Sequence, residues 1–76
     1  DKNKEKESEE FEEKEPGDLA FFGHDGKITH VGLVADNERI LHVSGSLHFD
    51  KLFPEGIWNE HKQELTHTLV GIKRFF

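Results

Sequence analysis

The sequence predicts a small α+β domain behind a charged leader, its centre an antiparallel sheet laid out as a β-meander. Three observations point there. Composition changes abruptly at Pro16-Gly17, from a nearly all-charged segment to one rich in apolar residues. Beyond that point, short runs of β-branched and aromatic residues alternate with turn signals, which is the pattern of an antiparallel sheet. Residues 47–65 are less regular. They are broken by Pro54 and Gly56, with room for one short helix near residues 50–53 or 57–62.

The leader, residues 1–15, holds eight acids and four lysines, with Phe11 its one large apolar side chain. Such a segment buries too little to offset the entropy of ordering it, so disorder or a fraying helix is expected. Residues 16–76 form the folded unit. Residues 18–22 read as a first strand, and Gly23-His24-Asp25-Gly26 as a turn. Residues 28–35 read as a second strand, 36–38 as a hairpin loop, 39–43 as a third strand, and 68–76 as the last. The expected core is Leu19, Phe21, Ile28, Val31, Leu33, Ile40, Leu41, Val43, Leu69, Val70 and Ile72, with Phe53, Ile57 and Trp58 folding the long segment over one edge.

Length and charge narrow the possible functions. Seventy-six residues suffice for one domain of marginal stability. With no cysteine in the sequence, disulfides and thiolate zinc sites are ruled out. A formal charge of −6 without a basic stripe is unsuited to nucleic acid or to anionic membrane surfaces. No run approaches the ~20 apolar residues of a membrane-spanning helix.

Six histidines stand out: His24, His30, His42, His48, His61 and His67. His30 and His42 lie inside neighbouring strands, where an imidazole is costly to bury unless its nitrogens find partners. A three-residue hairpin loop, 36–38, sets Ala35 against Arg39 and places both rings on one face, on a diagonal within reach of each other. Asn37, tolerant of a left-handed conformation, suits that loop. A two-residue loop, 36–37, instead sends the rings to opposite faces. Side by side, the pair suits a base and the group that orients it. Gly32 beside them leaves room for a substrate backbone, and Ser44 is a second candidate contact. The other histidines read as turn, loop or strand-start residues, and Asp50 with Arg74 as an ion pair or cap.

Three segments in fixed order carry a resemblance: Pro16-Gly17-Asp18-Leu19-Ala20-Phe21-Phe22-Gly23, Ile28-Thr29-His30-Val31-Gly32-Leu33, and Ile40-Leu41-His42-Val43-Ser44-Gly45. They resemble the C-terminal half of the NlpC-type cell-wall cysteine peptidases. Asp50-Lys51-Leu52, Gly56-Ile57-Trp58-Asn59, Thr66-His67 and Ile72-Lys73-Arg74 extend the likeness from Pro16 to the end. Each motif alone is weak; the ordered set is specific. The resemblance implies a papain-like fold in which a nucleophile helix packs on the sheet. It also implies hydrolysis of peptidoglycan stem peptides, at the bond between γ-D-glutamate and the next diamino acid, in the cell envelope, periplasm or outside the cell. By position His30 matches the catalytic histidine and His42 the polar residue that orients it. No cofactor is implied.

The sequence departs from that family at its nucleophile. The family's cysteine lies upstream, in an Asp-Cys-Ser-Gly segment at a helix start, and this sequence has none. Ser44 and Ser46 are poor substitutes, because serine needs its own base and oxyanion donors. The expectation is a fragment supplying His30 and His42, inactive alone, its partner a missing N-terminal helical half. The sheet face left uncovered is expected to be exposed or to self-associate. Two other readings are a non-catalytic stem-peptide binding domain and a metal-binding module using His30, His42 and either His48 or Asp50.

Overall fold

The computed structural model describes residues 11–74, and its regular elements are six strands. They are β1 (Leu19–His24), β2 (Lys27–Val34), β3 (Arg39–Ser44), β4 (Ser46–Phe53), β5 (Gly56–Asn59) and β6 (Glu64–Lys73). Each pairs antiparallel with the next, and β6 returns to pair with β1, with Ala20 opposite Ile72 and Phe21 opposite Gly71. The sheet is thus a closed six-stranded barrel.

This overturns the expected α+β architecture and, with it, the papain-like open sheet. The difference lies in residues 47–65. They form β4 and β5, which carry the sheet round from β3 to β6 and close it. Closure satisfies the backbone groups that an open meander leaves along its edges.

The loop after β2 takes the three-residue form. Leu33 faces Leu41 and Val34 faces Ile40, and the Ala35 amide donates to the Arg39 carbonyl at 3.0 Å. Asp36 builds the turn. Its Oδ1 accepts from the amides of Glu38 and Arg39, both at 2.9 Å, while Oδ2 accepts from Arg39 Nε at 2.8 Å. Asn37 has an ordinary negative φ, so the carboxylate of Asp36, not a left-handed asparagine, shapes the loop.

The apolar interior consists of Ala20, Phe22, Val34, Ile40, Leu52, Ile57 and Ile72, with Phe11 and Leu69 packed against it. Of the expected core only Ile40 and Ile72 are buried. Ile28, Val31, Leu33, Val43 and Val70 point outward and stay exposed. Faces alternate with a period of two along a strand, so a one-residue error in assigning the inner face moves every side chain across the sheet. In β1 the inner residues are Ala20 and Phe22, not Leu19 and Phe21. Most of the leader falls on residues 1–10, outside the described residues. Of its last five, Phe11 packs on the core and Lys14 is buried, its Nζ 3.7 Å above the Phe11 ring.

This assignment of faces is testable by paired truncations. Phe22→Ala, which empties a fully buried site, should cost ~3–5 kcal/mol, enough to unfold most of so small a domain. Leu47→Ala, at a position 65% exposed, should change stability by no more than ~0.5 kcal/mol. Denaturant melts followed by Trp58 fluorescence compare the two.

Candidate functional site

The barrel interior has two halves. Beside the apolar half, inward positions carry imidazoles and a carboxylate: His30 in β2, His42 in β3, His48 and Asp50 in β4, and His67 in β6, with Gly32 between His30 and Val34. The β2–β3 ladder runs through Leu33↔Leu41 and Val34↔Ile40 only. Away from that end the two strands part. A groove of about 500 Å³ opens along the seam, and His30, Gly32 and His42 line it together with Val31, Leu33, Val43 and Leu47. His30 is therefore held inside the barrel wall yet reachable through it, with the enclosed His42 behind it.

Gly32 makes the close packing possible. A Cβ there would lie 2.6 Å from Ile40 Cδ1 and 3.3 Å from His42 Cβ. Its missing side chain is thus occupied by neighbours on the inner side, while its backbone lines the groove. Ser44 is exposed at the end of β3 and does not line that groove.

The hydrogen bonds form a chain. His30 Nε2 lies 2.9 Å from His42 Nδ1, and His42 Nε2 lies 2.7 Å from Asp50 Oδ2. His42 is 3% exposed, so both of its nitrogens must be satisfied internally. A carboxylate only accepts, which puts the His42 proton on Nε2. Its Nδ1 then accepts, so His30 must donate through Nε2–H. The Nδ1 of His30 keeps its lone pair and, among the described residues, has no hydrogen-bond partner. Asp50 thus dictates, through His42, which nitrogen of His30 is free to take a proton.

His48 holds Asp50 from the other side. It faces His42 directly across the β3–β4 pair. Its Nε2 is 3.0 Å from the same Asp50 oxygen, and its Nδ1 is 2.9 Å from the Ser46 carbonyl. Both partners are acceptors, so both bonds form together only when the His48 ring carries two protons.

His67 reaches the site from β6. Its ring stacks on His30, centroids 4.1 Å apart and 24° between planes, and its Nδ1 lies 2.9 Å from Thr66 Oγ1. Phe22 sits beneath both rings, 5.8 Å from His30 and 6.1 Å from His67. Burial pushes the imidazolium form of His30 below its ordinary range, and the neighbouring His42 adds to the effect. Burial likewise lowers His67, with His30 and His42 contributing and Asp50 opposing.

The structure brings His30 and His42 together on one face, as the three-residue loop requires. Beside them it places His48 and Asp50, which the sequence offered for a site only as alternative metal ligands, and His67, which it read as a loop or strand-start residue. Asp50 bonds the histidines, whereas Arg74 lies near Glu15 at 3.6 Å and Asp18 at 3.7 Å. One signal was available. His48 and Asp50 alternate with Leu47 and Phe49 at period two, as a strand does, but with the polar residues facing in. His24 and His61 are exposed and lie outside the cluster.

A pH dependence of stability follows from the two lowered imidazoles. In the unfolded chain they titrate near 6.5; in the fold they bind protons less readily. The unfolded state therefore takes up more protons as pH falls through 6.5 toward the lower folded values, and stability is lost over that window. Thermal melts in metal-free buffer should drop in midpoint from pH 7 to pH 5, and His67→Gln should flatten the slope. A midpoint that rises on acidification would contradict the assignment.

The sequence pattern of the NlpC/P60 family matches residues 1–67. The match takes in His30, His42, His48, Asp50 and His67. It also covers the leader, which the motif likeness left out, and stops before Ile72-Lys73-Arg74. Comparison with curated proteins gives no match, and neither does comparison with solved structures. No helix among the described residues is long and apolar enough to cross a membrane. A match over 67 of 76 residues, with a paired-histidine cluster inside it, places this chain in the NlpC/P60 family, whose setting is that of cell-wall peptidases.

Proposed function

We propose that this chain is the histidine-bearing, C-terminal part of a peptidoglycan stem-peptide hydrolase of the cell envelope. In this reading His30 is the general base and His42, held by Asp50, its orienting residue. The observation that carries the proposal is the 2.9 Å contact between His30 Nε2 and His42 Nδ1, continued to Asp50 at 2.7 Å. That chain leaves His30 Nδ1 with a free lone pair in a site open to the groove.

The nucleophile is a cysteine thiol presented to His30 by a segment outside this sequence, an N-terminal helical half. His30 Nδ1 takes the thiol proton, and the thiolate attacks the carbonyl between γ-D-glutamate and the diamino acid. The imidazolium then gives its proton to the departing amine. Water, activated by the same nitrogen, hydrolyses the thioester. Throughout, His42 accepts from His30 Nε2–H and donates its own Nε2–H to Asp50 Oδ2, so the ring stays aimed. Gly32 and Ser44 are the proposed substrate contacts. The exposed apolar residues beside the groove, Val31, Leu33, Val43 and Leu47, support a docking face for the cysteine-bearing segment.

Two measurements test this reading. The chain alone should leave a γ-D-glutamyl–diamino acid stem peptide uncut. Joined to a cysteine-bearing helical half, it should cleave that bond in a thiol-dependent manner. His30→Ala should then cut the rate by ~10²–10⁴, and Asp50→Asn by less. Stem-peptide binding with no cleavage in the joined form would favour the non-catalytic binding domain instead. Separately, ultracentrifugation at rising concentration should show self-association of the isolated chain, which Leu47→Lys suppresses.

A further inference from the structure

We infer that the protein binds one divalent d-block cation, of the zinc(II) type, through His30, His42 and His67, in a site that excludes the base-competent arrangement of His30. The occupancy stands on the geometry alone; its consequence for catalysis rests on the peptidase reading above.

Three strands, β2, β3 and β6, each deliver one imidazole, and one nitrogen from each lies within 4.8 Å of the other two. The hydrogen bonds pick out the donor atoms. His42 gives Nε2 to Asp50, leaving Nδ1. His67 bonds Thr66 Oγ1 through Nδ1, leaving Nε2. His30 already presents Nε2 to His42 Nδ1 at 2.9 Å. A tetrahedral ion with nitrogens at ~2.0–2.1 Å needs them roughly 3.4 Å apart. Small ring rotations reach that from the spacing seen. Asp50 behind His42 is the carboxylate that commonly supports a metal-bound imidazole, and the Thr66 hydroxyl plays the same part for His67. The groove along the β2–β3 seam leaves a fourth position for water. Burial also disfavours the imidazolium forms of His30 and His67, and it is the neutral ring that binds metal.

A second group, His42, His48 and Asp50, is equally compact. Its polar atoms are already spent on one another: Asp50 Oδ2 accepts from both rings, and His48 Nδ1 is taken by the Ser46 carbonyl. In the first group only the His30 Nε2–His42 Nδ1 bond has to give way to the ion, and His67 Nε2 has no hydrogen-bond partner among the described residues, so the ion belongs there.

Metal and base roles compete for one tautomer. When Nε2 of His30 ligates an ion, its proton resides on Nδ1. That nitrogen then donates instead of accepting, and it cannot take a thiol proton. No net proton is released if all three rings start neutral.

The full chain, stripped with chelator, is titrated with zinc(II) by calorimetry and with cobalt(II) by visible absorption. The expected result is one ion per chain with the d–d bands of a tetrahedral cobalt site. His67→Gln should weaken binding by ~10-fold or more, Asp50→Asn by ~10–100-fold, and His48→Ala by less than about threefold. Nitrogen NMR of the imidazoles in the unsubstituted chain with zinc should show His30 coordinated at Nε2 and protonated at Nδ1, which keeps the test valid if a variant fails to fold. The inference is overturned by absent binding, by binding that survives His67→Gln, by binding lost in His48→Ala, or by a protonated Nε2 on His30. None of these readouts involves peptide cleavage, so a failed hydrolysis experiment leaves the metal question separately answered.

Discussion

A buried imidazole must place both of its ring nitrogens, and His42 places them on His30 and Asp50. Neither bond can be supplied by water, since the ring is almost fully enclosed. The rest of the site is built around that requirement. Asp50 has to sit inside the barrel, which forces β4 to turn a polar face inward. His48 then completes the carboxylate from the far side. His30 has to offer Nε2–H, which leaves its Nδ1 available at the groove. A single inaccessible side chain thus settles the tautomer of its neighbour, and tautomer choice is the chemistry that a base requires.

The price is an interior in which much of the volume is polar. Seven buried apolar residues form the core, and the other inward positions hold histidines and a carboxylate. Among the described residues every buried side-chain nitrogen or oxygen has a partner, so the polar half costs no unsatisfied groups. Barrel closure contributes as well. In a chain this short, an open six-stranded sheet would expose two unpaired edges, whereas the β1–β6 pairing leaves none at that join. The groove at the β2–β3 seam lies where that ladder is cut short, and it is where His30 comes to the surface.

Apolar residues displaced from the interior lie on the outer wall, and several of them flank the groove. Beside the groove the wall is apolar outside and polar inside, the reverse of an ordinary small barrel, while the other half keeps an apolar interior. Such a wall divides the molecule between an apolar outer face and an inner face that carries the imidazoles. Family membership and the paired histidines agree with that division of labour.

Much of this was legible in residues taken one at a time. The positions of β1, β2 and β3, the choice of His30 and His42 as candidate residues, and the absence of a thiol can be read directly from the chain, because local propensity, turn chemistry and strand alternation are properties of neighbouring residues. Three things were not. The inner faces of β1 and β2 were misassigned, since a rule that sends hydrophobic residues inward fails where polar side chains fill half a barrel. Closure was missed, because β4 and β5 look irregular until β6 and β3 lie on either side of them. His67 joined the site only when a strand distant in sequence was brought round the barrel to His30, and Asp50 only when β4 formed beside β3. The sequence by itself determined which side chains are able to accept or donate a proton. Only the tertiary structure decided which nitrogen of each does so, because that depends on a partner presented from another strand.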